Sequence, residues 1–173
     1  DWVMVQPAFS QLRAALLQLA SGEVLEIGFG TGLNLSHYPT TITRLSIVDP
    51  ATLLPAKVAR RMAAAPYPIQ ATHVTAENLP FPDQQFETVV STWTLCTIPD
   101  VAAALREVHR LLKPGGRFLF VEHGLAPDEA VRRWQRRLRP LIRYLGDGCT
   151  LDRDIADLIR ASPLHVERCD TFY

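Results

Sequence analysis

Residues Val24-Leu25-Glu26-Ile27-Gly28-Phe29-Gly30-Thr31-Gly32 put an apolar, strand-like run directly before three glycines at alternate positions, and a helical pattern follows from about Gly32. This order restricts the chain to folds in which a strand feeds a helix through a tight turn. Glycine has no Cβ to obstruct either the turn or a ligand lying against it. A nucleotide-like ligand is implied. The dinucleotide fingerprint needs its third glycine at position 33, where this chain has Leu33, and it aims helix-terminus amides at a pyrophosphate. A nicotinamide-binding oxidoreductase is therefore disfavoured.

Around this loop, apolar β-rich runs alternate with helical patterns. Strands are expected over 24–28, 45–49, 70–75, 88–92, 117–122 and 165–172, and helices over 9–19, from 32, and over 53–65, 101–112, 128–144 and 153–161. Such alternation gives an α/β fold, a doubly wound and mostly parallel Rossmann-like sheet covered on both faces. Lys113-Pro114-Gly115-Gly116 should stop one helix and turn the chain into the next strand, and Pro140 should bend the helix over 128–144. A length of 173 residues with 47% apolar side chains fits a single domain over 1–173, and no internal repeat or linker interrupts it.

Charge narrows the partners. Eighteen Lys plus Arg balance eighteen Asp plus Glu, so no global field draws the protein to phosphate backbones, and nucleic acid is not an expected partner. Cys96, Cys149 and Cys169 are odd in number, widely spaced and without a CxxC pair. That pattern argues against a disulfide framework or a zinc site and fits a reducing, cytoplasmic setting. No apolar run is long enough to cross a bilayer, and the first residues lack a signal-peptide layout. The chain starts at Asp1 rather than Met, which leaves an upstream leader or anchor open. The helix over 128–144 carries Arg132, Arg133, Arg136, Arg137, Arg139 and Arg143 opposite Trp134, Leu138, Leu141 and Leu145. Such a helix can make peripheral contact with an anionic membrane or shelter a lipid acceptor; it can equally be a helix over the sheet with a solvated arginine face. Oligomeric state is not set by these features.

Asp49 ends the second strand, about twenty residues beyond the glycine loop, where a carboxylate can accept both hydroxyl protons of a ribose. It can also serve as a turn or capping aspartate before Pro50. A third element is Thr75-Ala76-Glu77-Asn78-Leu79-Pro80-Phe81-Pro82-Asp83. Taken in order, Glu26-Ile27-Gly28-x-Gly30-x-Gly32, Asp49, Ala76-Glu77-Asn78-Leu79-Pro80-Phe81 and Leu111-Leu112-Lys113-Pro114-Gly115-Gly116 resemble the class I S-adenosylmethionine (SAM)-dependent methyltransferases related to the quinone-biosynthesis C-methyltransferases, over about residues 24–122. The resemblance implies SAM as cofactor. It assigns Glu26 and the loop Gly28, Phe29, Gly30, Thr31 and Gly32 to the amino-acid part, Asp49 with Pro50 to the ribose, and Ala76, Glu77 and Asn78 to the adenine edge. Thr92 and Trp93 would lie near the sulfonium. Thr75 stands where relatives often carry Asp for the adenine amino group.

A narrower resemblance runs through Ser91-Thr92-Trp93-Thr94-Leu95-Cys96, Glu122-His123-Gly124, Trp134-Gln135 and Asp147-Gly148-Cys149. It is similar to the methyltransferase-like subgroup that holds alkyl-thiol S-methyltransferases of endoplasmic reticulum and lipid droplets, and bacterial proteins known as phospholipid methyltransferases. The implied acceptor is small and apolar, a thiol first, with an amine-headgroup phospholipid as the alternative; a SAM-binding domain without catalysis is the third reading. The Asn/Asp-Pro-Pro-Tyr tetrad of nucleic-acid N-methyltransferases is absent. A thiol must react as thiolate, and His123 at the end of the fifth strand and Asp147 are the candidates to assist its ionisation. His123 can also be a structural strand-end histidine. Cys149 reads as a small buried residue with no basic sequence neighbour. Trp93 and Trp134 can line an acceptor pocket or pack in the core, and Trp2 and Phe9 can form a lid or an ordinary capping helix. The family fold ends in an antiparallel hairpin of strands six and seven. The chain stops at Tyr173, so the seventh strand is missing from view and a truncated or partly disordered C-terminus is expected.

Overall fold

In a computed structural model of the protein, residues 4–52, 55–145 and 148–172 are described, apart from the side chains of residues 142, 143 and 145. Five strands form one sheet in the order β3-β2-β1-β4-β5. They are β1 (Gly22–Ile27), β2 (Ile42–Val48), β3 (Ile69–Thr72), β4 (Phe86–Thr92) and β5 (Leu112–Val121), and every pairing is parallel. Helices α1 (Pro7–Leu17), α2 (Ala56–Ala63), α3 (Val101–Leu111), α4 (Glu129–Leu145) and α5 (Ile155–Arg160) accompany them. The expected doubly wound α/β architecture is present.

Because side chains alternate across a strand, one sheet builds two cores. Leu25, Ile27, Phe86 and Val89 face α3 and α5, whereas Val24, Leu45, Ile47 and Val90 face the side of α1 and α2. Helix α3 buries Val101, Ala104, Leu105, Val108 and Leu111, the spacing of one helical stripe. The Asp100 side chain caps it by accepting from the Ala103 N–H at 2.9 Å.

Several boundaries differ from the sequence expectation for physical reasons. The helix expected from Gly32 is a single 3-10 turn, Leu33–Ser36, since Pro39 follows closely and disfavours helix at the residue before it. Strand β3 stops at Thr72 because its partner ends there, with Val48 opposite Thr72. Lys113-Pro114-Gly115-Gly116 is a bulge inside β5 and no separate turn: the register passes from Phe86 opposite Leu112 to Thr88 opposite Arg117. Helix α2 starts after Pro55; the expected start at Leu53 lies outside the described residues, as do Trp2 and Asp147. The strand expected over 165–172 does not form. Leu164 and Val166 pack against the core instead, and no described segment offers them a hydrogen-bonded neighbour beyond β5.

Candidate active site

The connections from β1 and β4, which are neighbours in the sheet, leave to opposite sides. In an open α/β sheet this reversal creates a crevice beyond the carboxyl ends of the strands. Glycine loop, Asp49, Trp93 and His123 all emerge at this edge.

The loop's shape requires its glycines. Gly28 has φ +76°, its N–H donates to the Val48 carbonyl at 2.8 Å, and a Cβ placed there would stand 2.0 Å from Thr94 Oγ1. Gly30 has φ +53° with open space where a Cβ would be, so the backbone is bare toward the crevice. Phe29 is buried with the α1-side core, and its ring underlies Gly32. The Thr31 carbonyl accepts from Arg61. These two residues anchor the loop; they do not open toward the cleft.

Asp49 holds two positions together. Oδ2 accepts from the Gly30 N–H at 2.8 Å, and Oδ1 accepts from the Ala51 N–H at 2.9 Å. Both roles read from the sequence are therefore compatible: a turn aspartate after β2 that presents its carboxylate beside the glycine loop. Next to it opens a cleft walled by Val48, Pro50, Val74, Ala76, Glu77 and Ile98, a mostly apolar lining with one carboxylate, as in small-ligand clefts. Asn78 is exposed and does not line it. The segment after β3 is pinned by Arg110, which donates to the carbonyls of Leu79 and Phe81 at 3.0 and 2.8 Å, while Glu107 accepts from the Leu79 N–H at 2.8 Å.

Glu26 lies under the loop, 1% exposed. Its oxygens accept from Asn34 Nδ2 at 2.9 Å and Tyr38 Oη at 2.8 Å. Burial pushes its carboxyl up to about 7, against the opposing effect of those bonds and of Arg13. Asn34 Nδ2 also donates to Thr92 Oγ1 at 3.0 Å, tying the 3-10 turn to the end of β4.

Trp93 follows with φ +52°, a left-handed conformation that costs a bulky residue on the order of 1–3 kcal/mol. Strain of this kind collects at functional sites. Its ring meets Phe9 edge-on with centroids 5.4 Å apart, carries the Arg13 guanidinium at 4.5 Å, and stands 6.4 Å from the His123 ring. Arg13 is 4% exposed. It donates from Nη1 to the Met4 carbonyl at 2.7 Å, and its Nε is buried with no hydrogen-bond partner among the described residues. A buried guanidinium beside an open crevice was not foreseen from the sequence. One signal was available: Arg13 lies four residues from both Phe9 and Leu17, on the apolar stripe of its helix.

On the far side of Trp93, Glu122 organises the loop after β4. Its Oε1 accepts from Ser91 Oγ at 2.7 Å and from the Thr94 and Leu95 N–H groups at 3.0 Å each, and burial raises its carboxyl above the usual range. His123 is half-buried, its Nδ1 4.0 Å from Cys149 Sγ; Cys149 Sγ is 3.2 Å from Cys96 Sγ. The hydrogen bond with Cys96, then that with His123, brings the Cys149 thiol down to about 5, whereas the Cys96 thiol is pushed up by the same bond and by burial. The basic neighbour absent from the sequence around Cys149 arrives through the fold. Cysteines 53 positions apart thus meet, because the Thr150 N–H donates to the Cys96 carbonyl at 3.0 Å and Arg153 donates to the carbonyls of Leu95 and Ile98.

Residues 25–120 match the family described as a methyltransferase domain. This chain belongs to that methyltransferase domain family. The domain is 36% identical over 152 residues to thiol S-methyltransferase TMT1B of Rattus norvegicus, covering 84% of this chain and 61% of that protein. It is 36% identical over 156 residues to the ubiquinone/menaquinone biosynthesis C-methyltransferase UbiE of Bartonella quintana, covering 84% of this chain and 60% of that protein. The YcgJ protein of Bacillus subtilis superposes with a TM-score of 0.67 at 26% identity, over 86% of this chain and 63% of that one. The methyltransferase domain described here thus spans about three fifths of the curated relatives it matches.

Proposed function

We propose that the protein transfers a methyl group from SAM to a small apolar acceptor, a thiol in the first instance, and that residues 1–173 act as one domain. One observation carries this: a bare glycine loop, the Asp49 carboxylate and an apolar cleft lie along one strand edge and meet a second cluster, Trp93, His123 and Cys149, beside them. The likeness to thiol S-methyltransferases supports the choice of acceptor. SAM fits the residues present. Gly30 leaves backbone open to it, Gly28 lines the cleft, Asp49 can receive ribose hydroxyls, Pro50, Ala76 and Glu77 wall a cleft for the adenine, and the Nε of Arg13, unpartnered among the described residues, suits a carboxylate. When bound, SAM supplies an electrophilic methyl on its sulfonium.

The chain's own residues position and desolvate. The Trp93 ring forms an apolar wall between Phe9 and His123. We assign thiol ionisation to His123, half-buried at the end of β5; Asp147, the other candidate, lies outside the described residues. Methyl transfer from labelled SAM to alkyl thiols by the full-length protein tests the proposal. Labelled thioether, lost in Asp49→Ala, is the expected outcome; SAM binding with no product from thiols or amine phospholipids would overturn it in favour of a non-catalytic SAM-binding domain.

The phospholipid reading has one specific support. Helix α4 keeps its apolar line in solvent, with Trp134 60%, Leu138 40% and Leu141 54% exposed. Its start is tethered by Gln135 and Arg132 bonds to residues 124–126, and further along Arg139 pairs with Asp152 at 3.4 Å. A basic helix with an open apolar face suits peripheral contact with an anionic membrane surface, in keeping with a cytoplasmic protein that associates with membranes. None of the described helices is long and apolar enough to cross a membrane.

A further inference from the structure

The meeting of Cys96, His123 and Cys149 has more in it than a route for a proton. One sulfur from each cysteine and one ring nitrogen of His123 all lie within 4.8 Å of one another, two of the separations being 3.2 Å between sulfurs and 4.0 Å from Cys149 Sγ to His123 Nδ1. A tetrahedral ion with metal–sulfur bonds of about 2.3 Å and metal–nitrogen bonds of about 2.0 Å needs sulfurs about 3.8 Å apart and sulfur to nitrogen about 3.5 Å. These two separations lie within about 0.6 Å of the required spacing, and Cys96 Sγ and the His123 ring nitrogen, no more than 4.8 Å apart, close onto an ion by a small shift of either side chain. They come from three separate segments, the loop after β4, the end of β5 and the stretch after α4. The first and third are fixed to each other by the Thr150–Cys96 backbone bond, and the loop after β4 is held further by Glu122 and Arg153. Both cysteines are free thiols.

We propose that Cys96, Cys149 and His123 form a three-ligand site for a soft d10 cation, Zn2+ in the ordinary case, whose open fourth position receives the sulfur of the acceptor. Two thiolates and one imidazole select such a cation over Mg2+ or Ca2+, and three protein ligands with one vacancy are the pattern of a reactive rather than a structural zinc site. The assignment of the fourth position rests on the thiol reading above; the metal site itself does not. It specifies how His123 serves ionisation: as a ligand, with the acceptor thiol giving its proton to solvent as its sulfur binds the metal, leaving a metal-bound thiolate next to Trp93.

The test is titration of the full-length, reduced protein with Co2+ followed by Zn2+ displacement. One equivalent of Co2+ should produce sulfur-to-cobalt charge-transfer absorption in the near ultraviolet and intense tetrahedral bands in the visible, bleached by Zn2+. Cys96→Ser, Cys149→Ser and His123→Ala should each weaken binding at least hundredfold, and Cys169→Ser should leave it unchanged. Cys149→His guards against variants that merely unfold: it should retain one equivalent with weaker charge-transfer intensity. Adding an alkyl thiol to the cobalt protein should raise that intensity as another sulfur enters. Absence of saturable binding, equal binding in Cys149→Ser, or a Cys96–Cys149 disulfide as the stable form of the purified protein would overturn the site. Thiol methylation by protein without cysteine-dependent cobalt binding sinks this inference alone. A cobalt site in a protein that methylates no thiol sinks the functional reading alone.

Discussion

The two halves of the crevice are built on different principles. The cofactor half comes from short contiguous segments, the loop over 28–32, Asp49 and the stretch over 74–77, and its geometry is mostly backbone: positive φ at Gly28 and Gly30 and N–H groups aimed at Asp49. The acceptor half is assembled from side chains that start far apart. Trp93, Cys96, His123 and Cys149 meet only after β4, β5 and the segment after α4 have packed. A change in the first half should therefore damage fold and ligand binding together, whereas a change in the second should damage reaction and spare both.

The largest expected effect is at Gly28. A Cβ 2.0 Å from Thr94 Oγ1, at φ +76°, leaves nowhere for the methyl to go without moving β4's exit. Gly28→Ala should weaken SAM binding at least hundredfold by calorimetry and lower stability by roughly 2–4 kcal/mol. Gly30→Ala, where a Cβ meets open space, bears only the backbone penalty of about 1–2 kcal/mol. Equal stability losses in the two variants would remove close packing from the account of this loop.

Glu26 gives the next effect, one of pH. With the folded carboxyl raised from 4.5 to about 7, the unfolded chain loses this proton first and the folded chain keeps it. Stability contributed by the neutral carboxyl is complete below pH 4.5 and lost as pH rises to 7, by roughly 3 kcal/mol at most. Denaturant midpoints across that window should fall with pH in the wild-type protein and flatten in Glu26→Gln; a wild-type profile that rises instead would mean the carboxylate is stabilised by its partners more than burial costs it.

These two residues also mark what the sequence could disclose. Gly28 was legible because its constraint is local: a strand, a glycine and a turn suffice to state it. The parallel order of strands and helices was legible for the same reason, periodicity being a property of neighbours. Glu26 was found, but its burial under the 3-10 turn was not legible, since it depends on Asn34 and Tyr38, whose contacts no local pattern reveals. Cys149 shows the limit most clearly. Read among its sequence neighbours it has no base beside it, and only the crossover that brings the stretch after α4 back to β4 supplies His123 and Cys96. The strand expected over 165–172 failed by the converse route: a strand exists only with a partner, and none is present for it among the described residues.

In the acceptor half, Trp93→Ala should leave SAM affinity within about threefold and reduce kcat/KM for a thiol roughly tenfold or more, the equivalent of about 1.4 kcal/mol of lost transition-state contact. The variant also relieves some of the crowding at φ +52°, so stability should change little. If SAM affinity fell with the catalytic constant, Trp93 would belong to the cofactor half and the division between the two would move to the far side of its ring.

The smallest effect separates the acceptor half from its surroundings. Trp134, Leu138 and Leu141 form one exposed stripe on α4, while Gln135, Arg132 and Arg139 make its bonds toward the segments beside the crevice. Replacing Trp134 and Leu141 with Ser removes apolar area from a surface already in water, which changes stability by no more than about 0.5 kcal/mol. Binding to vesicles with anionic headgroups should fall severalfold, because interfacial binding scales with buried apolar area plus charge and the arginines remain. Methylation of a water-soluble thiol should be unchanged while methylation of a vesicle-borne acceptor drops. Equal loss on both substrates would place α4 in the acceptor site itself, and the helix would then belong to the chemistry of the crevice rather than to its delivery.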